Sequence, residues 1–477
     1  MRLFPALLAL LVCLNVFAAE GMWQPHQLPA LGNTLRDLGL EVDPAQLNSL
    51  TEHPMAAIVG LGGCSASFVS PDGLAVTNHH CVQGSLQHNS TPERNLLELG
   101  FLAEQRSEEL PGRPGSRIYV TVEVTDVTAA MLEGLDADTD GLVRQRTLET
   151  REKSLVAECE RQSGFRCNVY MFYQGLEFYL IRQLEIRDVR LVYVPPRSIG
   201  AYGGDIDNWM WPRHTGDYSF LRAYVAPDGS PAEYDQDNVP YKPEHYLAVS
   251  TDGLEDGDFA MAVGYPGRTY RHRLALEAAD VSNWFYPTRK QHFEEVLAII
   301  ERETRDREDA AIKYSALVQG LNNVIKNYGG MIEGFARSGL VDRKRRAEVE
   351  LRTWLADNDR QDDSLAKLGT LVREYRDGRE QRMIYDDFLR RRAALLSAAA
   401  TLYRLSIETE KPDNERKIGF QDRDRDRIRE RMTRLPRSYD PAVDQAMLVH
   451  HVEAYSALPA DQRIAALDRW LGGNDAG

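Results

Sequence analysis

The stretch Thr77-Asn-His-His-Cys81 sets two adjacent histidines against a cysteine, at the end of a segment that reads strand, turn, strand. Serine hydrolysis needs an imidazole held at a fixed place beside a hydroxyl, to take its proton and return it to the leaving group. His80 directly precedes Cys81, and a bridge from Cys81 back to Cys64 would pin it against the preceding strand. Such a bridge would close a short loop and add about 3 kcal/mol by the chain-entropy estimate. Two other readings of the pair stay open. The histidines are core or surface residues without a role, or they join His214 in a zinc site. Adjacent residues on a strand point to opposite faces, which counts against the metal.

A second unusual string runs Gly203-Gly-Asp-Ile-Asp-Asn-Trp-Met-Trp-Pro-Arg-His-Thr-Gly-Asp217. It offers three carboxylates, Asp205, Asp207 and Asp217, able to accept the other imidazole N–H and fix its tautomer. Residue types alone do not choose among them.

The elements that would position these groups change character along the chain. Ala57 to Val69 and Gly73 to Thr77 read as short strands broken by Pro71-Asp72-Gly73, a turn with suitable residues. Ile118 to Val124 alternates cleanly, and further strands are expected over 169–173, 178–179, 186–194, 220–225 and 258–263. Many short strands with Gly and Pro punctuation predict an antiparallel barrel or sandwich over 19–275, with a charged helical excursion near 136–160. Beyond Ala275 the period becomes helical: Phe293, Val296, Leu297 and Ile300 fall on one face, and residues 276–477 read as an all-α domain. The alternating Asp422 to Arg427 run reads as a solvated, ion-paired helix.

Compartment and partners follow from the ends and the charge. Arg2, an apolar run from Leu3 to Phe17, and Ala18-Ala19 form a signal peptide, residues 1–18, with cleavage after Ala18. The run is shorter than the roughly 20 residues a spanning helix needs. The expected location is therefore exported, periplasmic or extracellular, with no membrane association after cleavage. Removing the leader removes Cys13 and leaves Cys64, Cys81, Cys159 and Cys167, an even number that suits two disulfides. Four cysteines allow three pairings; closeness in sequence favours Cys64–Cys81 and Cys159–Cys167. The paired CxxC spacing of a four-cysteine zinc site is absent, and no metal or cofactor is expected. With 57 basic against 72 acidic residues the net charge is −15, which repels nucleic acid and anionic membranes at long range.

The two strings resemble the bacterial dipeptidyl peptidases seven and eleven, chymotrypsin-clan serine exopeptidases, and the likeness extends over essentially the mature chain. It implies a trypsin-like first β-barrel followed by a helical cap. It implies His80 as general base and Asp217 as its carboxylate partner, and it supports the Cys64–Cys81 bridge. Asn208 and Trp209 match residues that hold the substrate's free amino terminus, and Asn323, in Gly320-Leu-Asn-Asn-Val-Ile-Lys-Asn327, matches a third contact from the helical domain. The implied ligands are peptides with a free N-terminus, and a homodimer fits the family. One part is missing. The family's nucleophile lies in a Gly-Asn-Ser-Gly-Ser-Pro type segment on a second barrel, and no such segment occurs here; Ser65, Ser67, Ser70, Ser230 and Ser338 lack its context. The expectation is therefore a dipeptidyl peptidase chain lacking its second barrel and inactive alone, or else a non-catalytic exported module that binds peptide N-termini.

Overall fold

The computed structural model describes residues 22–472 apart from 268, 361–362 and 391–392. The leader read over residues 1–18 lies outside them. Among the described residues the strands are β1 (Ile58–Gly60), β2 (Ser65–Phe68), β3 (Leu74–Thr77), β4 (Phe101–Leu102), β5 (Leu110–Pro111), β6 (Ile118–Asp126), β7 (Phe165–Phe172), β8 (Glu177–Ile186), β9 (Asp188–Val194), β10 (Ser219–Val225) and β11 (Val239–Pro240). They form one antiparallel sheet in the order β4-β9-β10-β3-β2-β1-β6-β8-β7, with β11 on β10 and β5 on β9. Strands β2 and β3 each alternate inward and outward, which turns Ala66, Phe68 and Ala75 into a core shared with Leu191, Leu221 and Ala223.

Register explains how distant strings meet. Strand β3 pairs with β10, and Thr77 faces Ser219. The residues that follow β3 and those that precede β10 therefore emerge at the same edge, which brings His80 towards Asp217.

The longer helices are α1 (His79–Asn89), α2 (Gly141–Cys159), α3 (Tyr286–Thr304), α4 (Glu308–Ser338), α5 (Leu340–Asp357), α6 (Ser364–Arg376), α7 (Arg379–Arg390), α8 (Ala394–Thr409), α9 (Arg425–Arg434) and α10 (Pro441–Ser456). Helix α2 is the excursion between strands, and Asp140 caps it by accepting from the N–H groups of Leu142 and Val143. Phe293, Val296 and Ile300 of α3 pack with Tyr314 and Leu321 of α4 and with Val443 and Met447 of α10, a second core. Asp440 caps α10 in the same manner as Asp140 caps α2, with Pro441 at the first helical position. None of the described helices is long and apolar enough to cross a membrane. Both disulfides are present, Cys64–Cys81 and Cys159–Cys167.

Three local expectations are corrected. His79 and His80 do not end a strand: β3 stops at Thr77, and the pair opens α1. Residues 258–263 form no strand; Phe259 and Val263 instead pack against Leu28, Leu40, Leu47 and Met55 in a side cluster, where apolar contact replaces a ladder. The Asp422 to Arg427 run is not merely solvated. Asp424 is buried and takes a hydrogen bond from Arg166 of β7, Arg423 pairs with Glu160, and Arg427 lies 3.5 Å from Glu185. These ion pairs dock the start of α9 against the sheet.

Candidate active site

His80 sits in the first turn of α1, where its backbone N–H is one of the unsatisfied donors of a helix start. Asp217 takes that donor: its Oδ1 accepts from the His80 N–H at 3.1 Å, and its Oδ2 lies 2.9 Å from His80 Nδ1. One carboxylate thus braces both the main chain and the ring. The side chain of Asp217 is largely covered, whereas that of His80 is 54% exposed, so Nε2 is left for an incoming group. Burial pushes the Asp217 carboxyl up, but the hydrogen bonds and charge of His80 outweigh it and hold the group below its ordinary range. Arg213 adds to this from 3.8 Å. Asp207, the rival carboxylate, is spent on its own loop: its Oδ2 accepts from the His214 N–H at 2.9 Å and the Thr215 hydroxyl at 3.1 Å.

Asn208, Trp209 and Asn323 also come together. Asn323 Oδ1 accepts from Asn208 Nδ2 at 3.0 Å and from Trp209 Nε1 at 3.0 Å, joining the loop before β10 to helix α4. Trp209 holds φ at +58°, a left-handed conformation that a bulky residue rarely adopts and that marks a constrained site. Its side chain and those of its neighbours Met210 and Trp211 stay exposed. Lys326, one turn further along α4, donates to the Ile206 carbonyl and ties the same loop down.

The zinc reading does not assemble. His79 turns inward and is buried, and His214 is held through its backbone to Asp207. Burial lowers the pKa of His79 and keeps it neutral. Cys64 and Cys81 lie near His80 but are joined as a disulfide, so they offer no thiolate. Among the described residues no serine hydroxyl hydrogen-bonds His80; Ser65 Oγ accepts from the Tyr265 N–H, and Ser230 Oγ donates to Asp228.

Two supporting residues escaped the sequence reading. Asn78, at the cap position of α1, sends its side chain not to the helix but to the Asp217 carbonyl at 3.1 Å. Its place inside the Thr-Asn-His-His-Cys string is the signal that could have found it. Gly200 lies against the His79 ring, where a Cβ would come within 2.2 Å of Cδ2. A glycine carries no side-chain signal, and nothing in the sequence points to this contact.

The model of the peptidase S46 family matches residues 18–477. The chain belongs to that family. Among curated relatives, the Asp/Glu-specific dipeptidyl-peptidase of Shewanella putrefaciens is 42% identical over 455 residues, 94% of this chain and 61% of its own length. Dipeptidyl-peptidase 7 of Porphyromonas gingivalis is 35% identical over 368 residues, 76% of this chain and 51% of its own. Among solved structures, Porphyromonas endodontalis DPP11 in complex with the dipeptide Arg-Glu superposes with a TM-score of 0.78 at 28% identity, covering 95% of this chain and 66% of that one. This S46 chain therefore spans about six-tenths of the length of the first of these relatives.

Proposed function

We propose that this S46 chain carries the general-base portion of a serine dipeptidyl peptidase that removes dipeptides from free peptide N-termini. The braced His80–Asp217 pair carries the reading: an exposed imidazole whose Nδ1 is held by a covered carboxylate is oriented to take a proton through Nε2. Asp217 fixes the tautomer and stabilises the imidazolium. Asn208 and Asn323 supply amide oxygens, and Trp209 supplies excluded volume, at the place where a cationic amino terminus is to be counted off two residues from the scissile bond. Helix α4, reaching over the loop, closes the groove beyond that point. We read the sheet as the first barrel of a two-barrel protease and the helices from α3 onward as its cap. The attacking hydroxyl and the oxyanion donors are assigned to the part of the relatives that this chain does not cover. The leader and two disulfides support export to an oxidising compartment.

Dipeptidyl-coumarin substrates with acidic and with apolar second residues test the reading, together with a fluorophosphonate probe. The 477-residue chain alone is expected to give neither turnover nor labelling. Joined to the uncovered remainder of the Shewanella putrefaciens relative, it is expected to hydrolyse them. In that hybrid Asp217→Asn should lower kcat by about 10⁴-fold, the loss seen when a triad carboxylate no longer fixes the tautomer. Turnover by the chain alone, or a hybrid whose activity survives His80→Ala, would overturn the assignment.

A further inference from the structure

Away from the His80–Asp217 pair, a second group of titratable side chains gathers where α3 and α10 cross. His292 and Glu295 stand three residues apart on one face of α3, and His450 faces them from α10. One ligand atom from each of the three lies within 4.8 Å of the others. His450 Nε2 is 3.6 Å from Glu295 Oε2, and the rings of His292 and His450 stack with centroids 5.6 Å apart. A third imidazole, His451, sits 5.5 Å from His292. Two imidazoles and a carboxylate whose ligand atoms converge in this way form a donor set for a cation.

The surroundings have the build of a metal centre. Asp387 of α7 is 2% exposed, and its Oδ2 lies 3.2 Å from His292 Nε2 while Arg289 holds the same carboxylate. A carboxylate behind a ligating histidine, itself fixed by a further partner, orients the ring and raises its basicity. The backbone is already positioned, because the Val296–Val443–Met447 core packs α3 on α10 beside the cluster. The open side faces a groove lined by Ala298, Ala446 and Val449, a path for an ion and room for a bound water. Glu295 borders this groove with its side chain 44% exposed, so it can swing to close donor spacings to the roughly 3.4 Å of a tetrahedral zinc.

We propose that His292, Glu295 and His450 bind a divalent late-transition ion of the zinc class, with Asp387 as the carboxylate behind His292. Two imidazoles and one carboxylate suit zinc or cobalt, and exclude the all-oxygen preference of magnesium and calcium. The bound ion fastens α3 to α10. Helix α4, which follows α3 and shares their core, is thereby steadied where it carries Asn323. No motif spacing announces the site, since Glu295 and His450 come from opposite ends of the helical region.

The test uses the mature chain in a His80→Ala background, which removes the His80–Asp217 pair as a competing ligand. Metal-free protein is titrated with ZnCl2 by calorimetry and with CoCl2 by visible absorption. One saturable equivalent per chain is expected, with the intense visible bands of four-coordinate Co2+ and a Tm that rises with zinc concentration. Asp387→Asn should weaken binding about 10–100-fold while the Co2+ bands persist. Glu295→Gln, at an exposed position that tolerates change, and His450→Gln should each weaken it at least as much and alter the bands. A folded protein that takes up neither ion with saturation overturns the proposal. So does saturable binding that Glu295→Gln and His450→Gln both leave unchanged.

Discussion

Replacing Gly200 by alanine tests how His80 is seated. The residue closes a short helix, Arg197–Gly200, so its backbone suits alanine and helix propensity even favours the change. The obstacle is steric. A Cβ there would lie 2.2 Å from His79 Cδ2 and 2.6 Å from both Cγ and Nε2. Carbon atoms in contact sit about 3.5–4.0 Å apart, so the ring must retreat by roughly 1.3 Å. His79 is 2% exposed and has little space to retreat into. Overpacking of this kind costs about 1–3 kcal/mol. The displacement also reaches the site from two sides. His79 shares the first turn of α1 with His80, and the Gly216 N–H donates to the Ile199 carbonyl at 3.0 Å, so the loop bearing Asp217 rests on the same short helix. Urea midpoints for the parent, Gly200→Ala, His79→Ala and the double variant form the assay. Removing the ring should relieve the clash, so the double variant is expected to be more stable than the sum of the single losses predicts. Contacting residues couple by about 0.5–3 kcal/mol, and additivity within about 0.5 kcal/mol would refute the account. In the active hybrid the single variant should lose up to about 10²-fold in kcat, the effect of a catalytic group misplaced by about 1 Å.

Three further perturbations separate the contributions to this fold. Opening the bridge by Cys64→Ser with Cys81→Ser should cost about 3 kcal/mol, the chain entropy of its 17-residue loop, read as a lower urea midpoint without reductant, where the Cys159–Cys167 bridge stays closed. Arg166→Ala leaves the buried Asp424 without its cation and should cost about 3–5 kcal/mol, whereas Arg166→Met with Asp424→Leu should recover most of it; equal losses would show that the pair does not dock α9. Burial depresses the pKa of His79, so below pH 6.5 the unfolded chain binds a proton that the folded chain resists. Its contribution is complete above pH 6.5 and is lost as pH falls towards the depressed folded value. The parent should therefore lose more stability than His79→Gln between pH 7.5 and pH 5, and equal losses would place the titration elsewhere.

How much of this was legible in the sequence depended on whether a residue's partner left a local mark. The two long strings carried the pair, because strand β3 runs directly into one and β10 directly out of the other. The period-2 alternation of Ala75 and Thr77 hid the start of α1, since a strand pattern continuing to Thr77 gives no warning of a helix two residues on. The alternating charges from Asp422 to Arg427 showed ion pairing but not its partners. Those are Arg166, Glu160 and Glu185, and only the packed sheet brings them near. Segment 258–263 is apolar enough to read as a strand, yet the side cluster around Leu28 and Leu47 offered burial without a neighbouring ladder.

The Asn208–Trp209–Asn323 group depends on something no single string could state, the position of the helices relative to the sheet. Helix α4 settles it by belonging to both cores. Ile312, near its start, is buried with Phe68 and Val194 of the sheet and Leu86 of α1, while Tyr314 and Leu321 lie in the α3–α10 core. At 1.5 Å per residue, the eleven residues from Ile312 to Asn323 place the amide roughly 16 Å along a rigid rod from its anchor in the sheet. The anchor is reinforced where Gln87 of α1 donates to the carbonyls of Lys313 and Arg437. Helix α1 therefore presents His80 at its first turn and grips α4 near its last. His80 and the residue that meets Trp209 are set by one short chain of packed elements rather than by two independent domains. A perturbation that loosens α4 from the sheet, such as Gln87→Ala, should raise KM by releasing Asn323 while leaving the His80–Asp217 hydrogen bond in place. A matched fall in kcat with KM unchanged would contradict that division of roles.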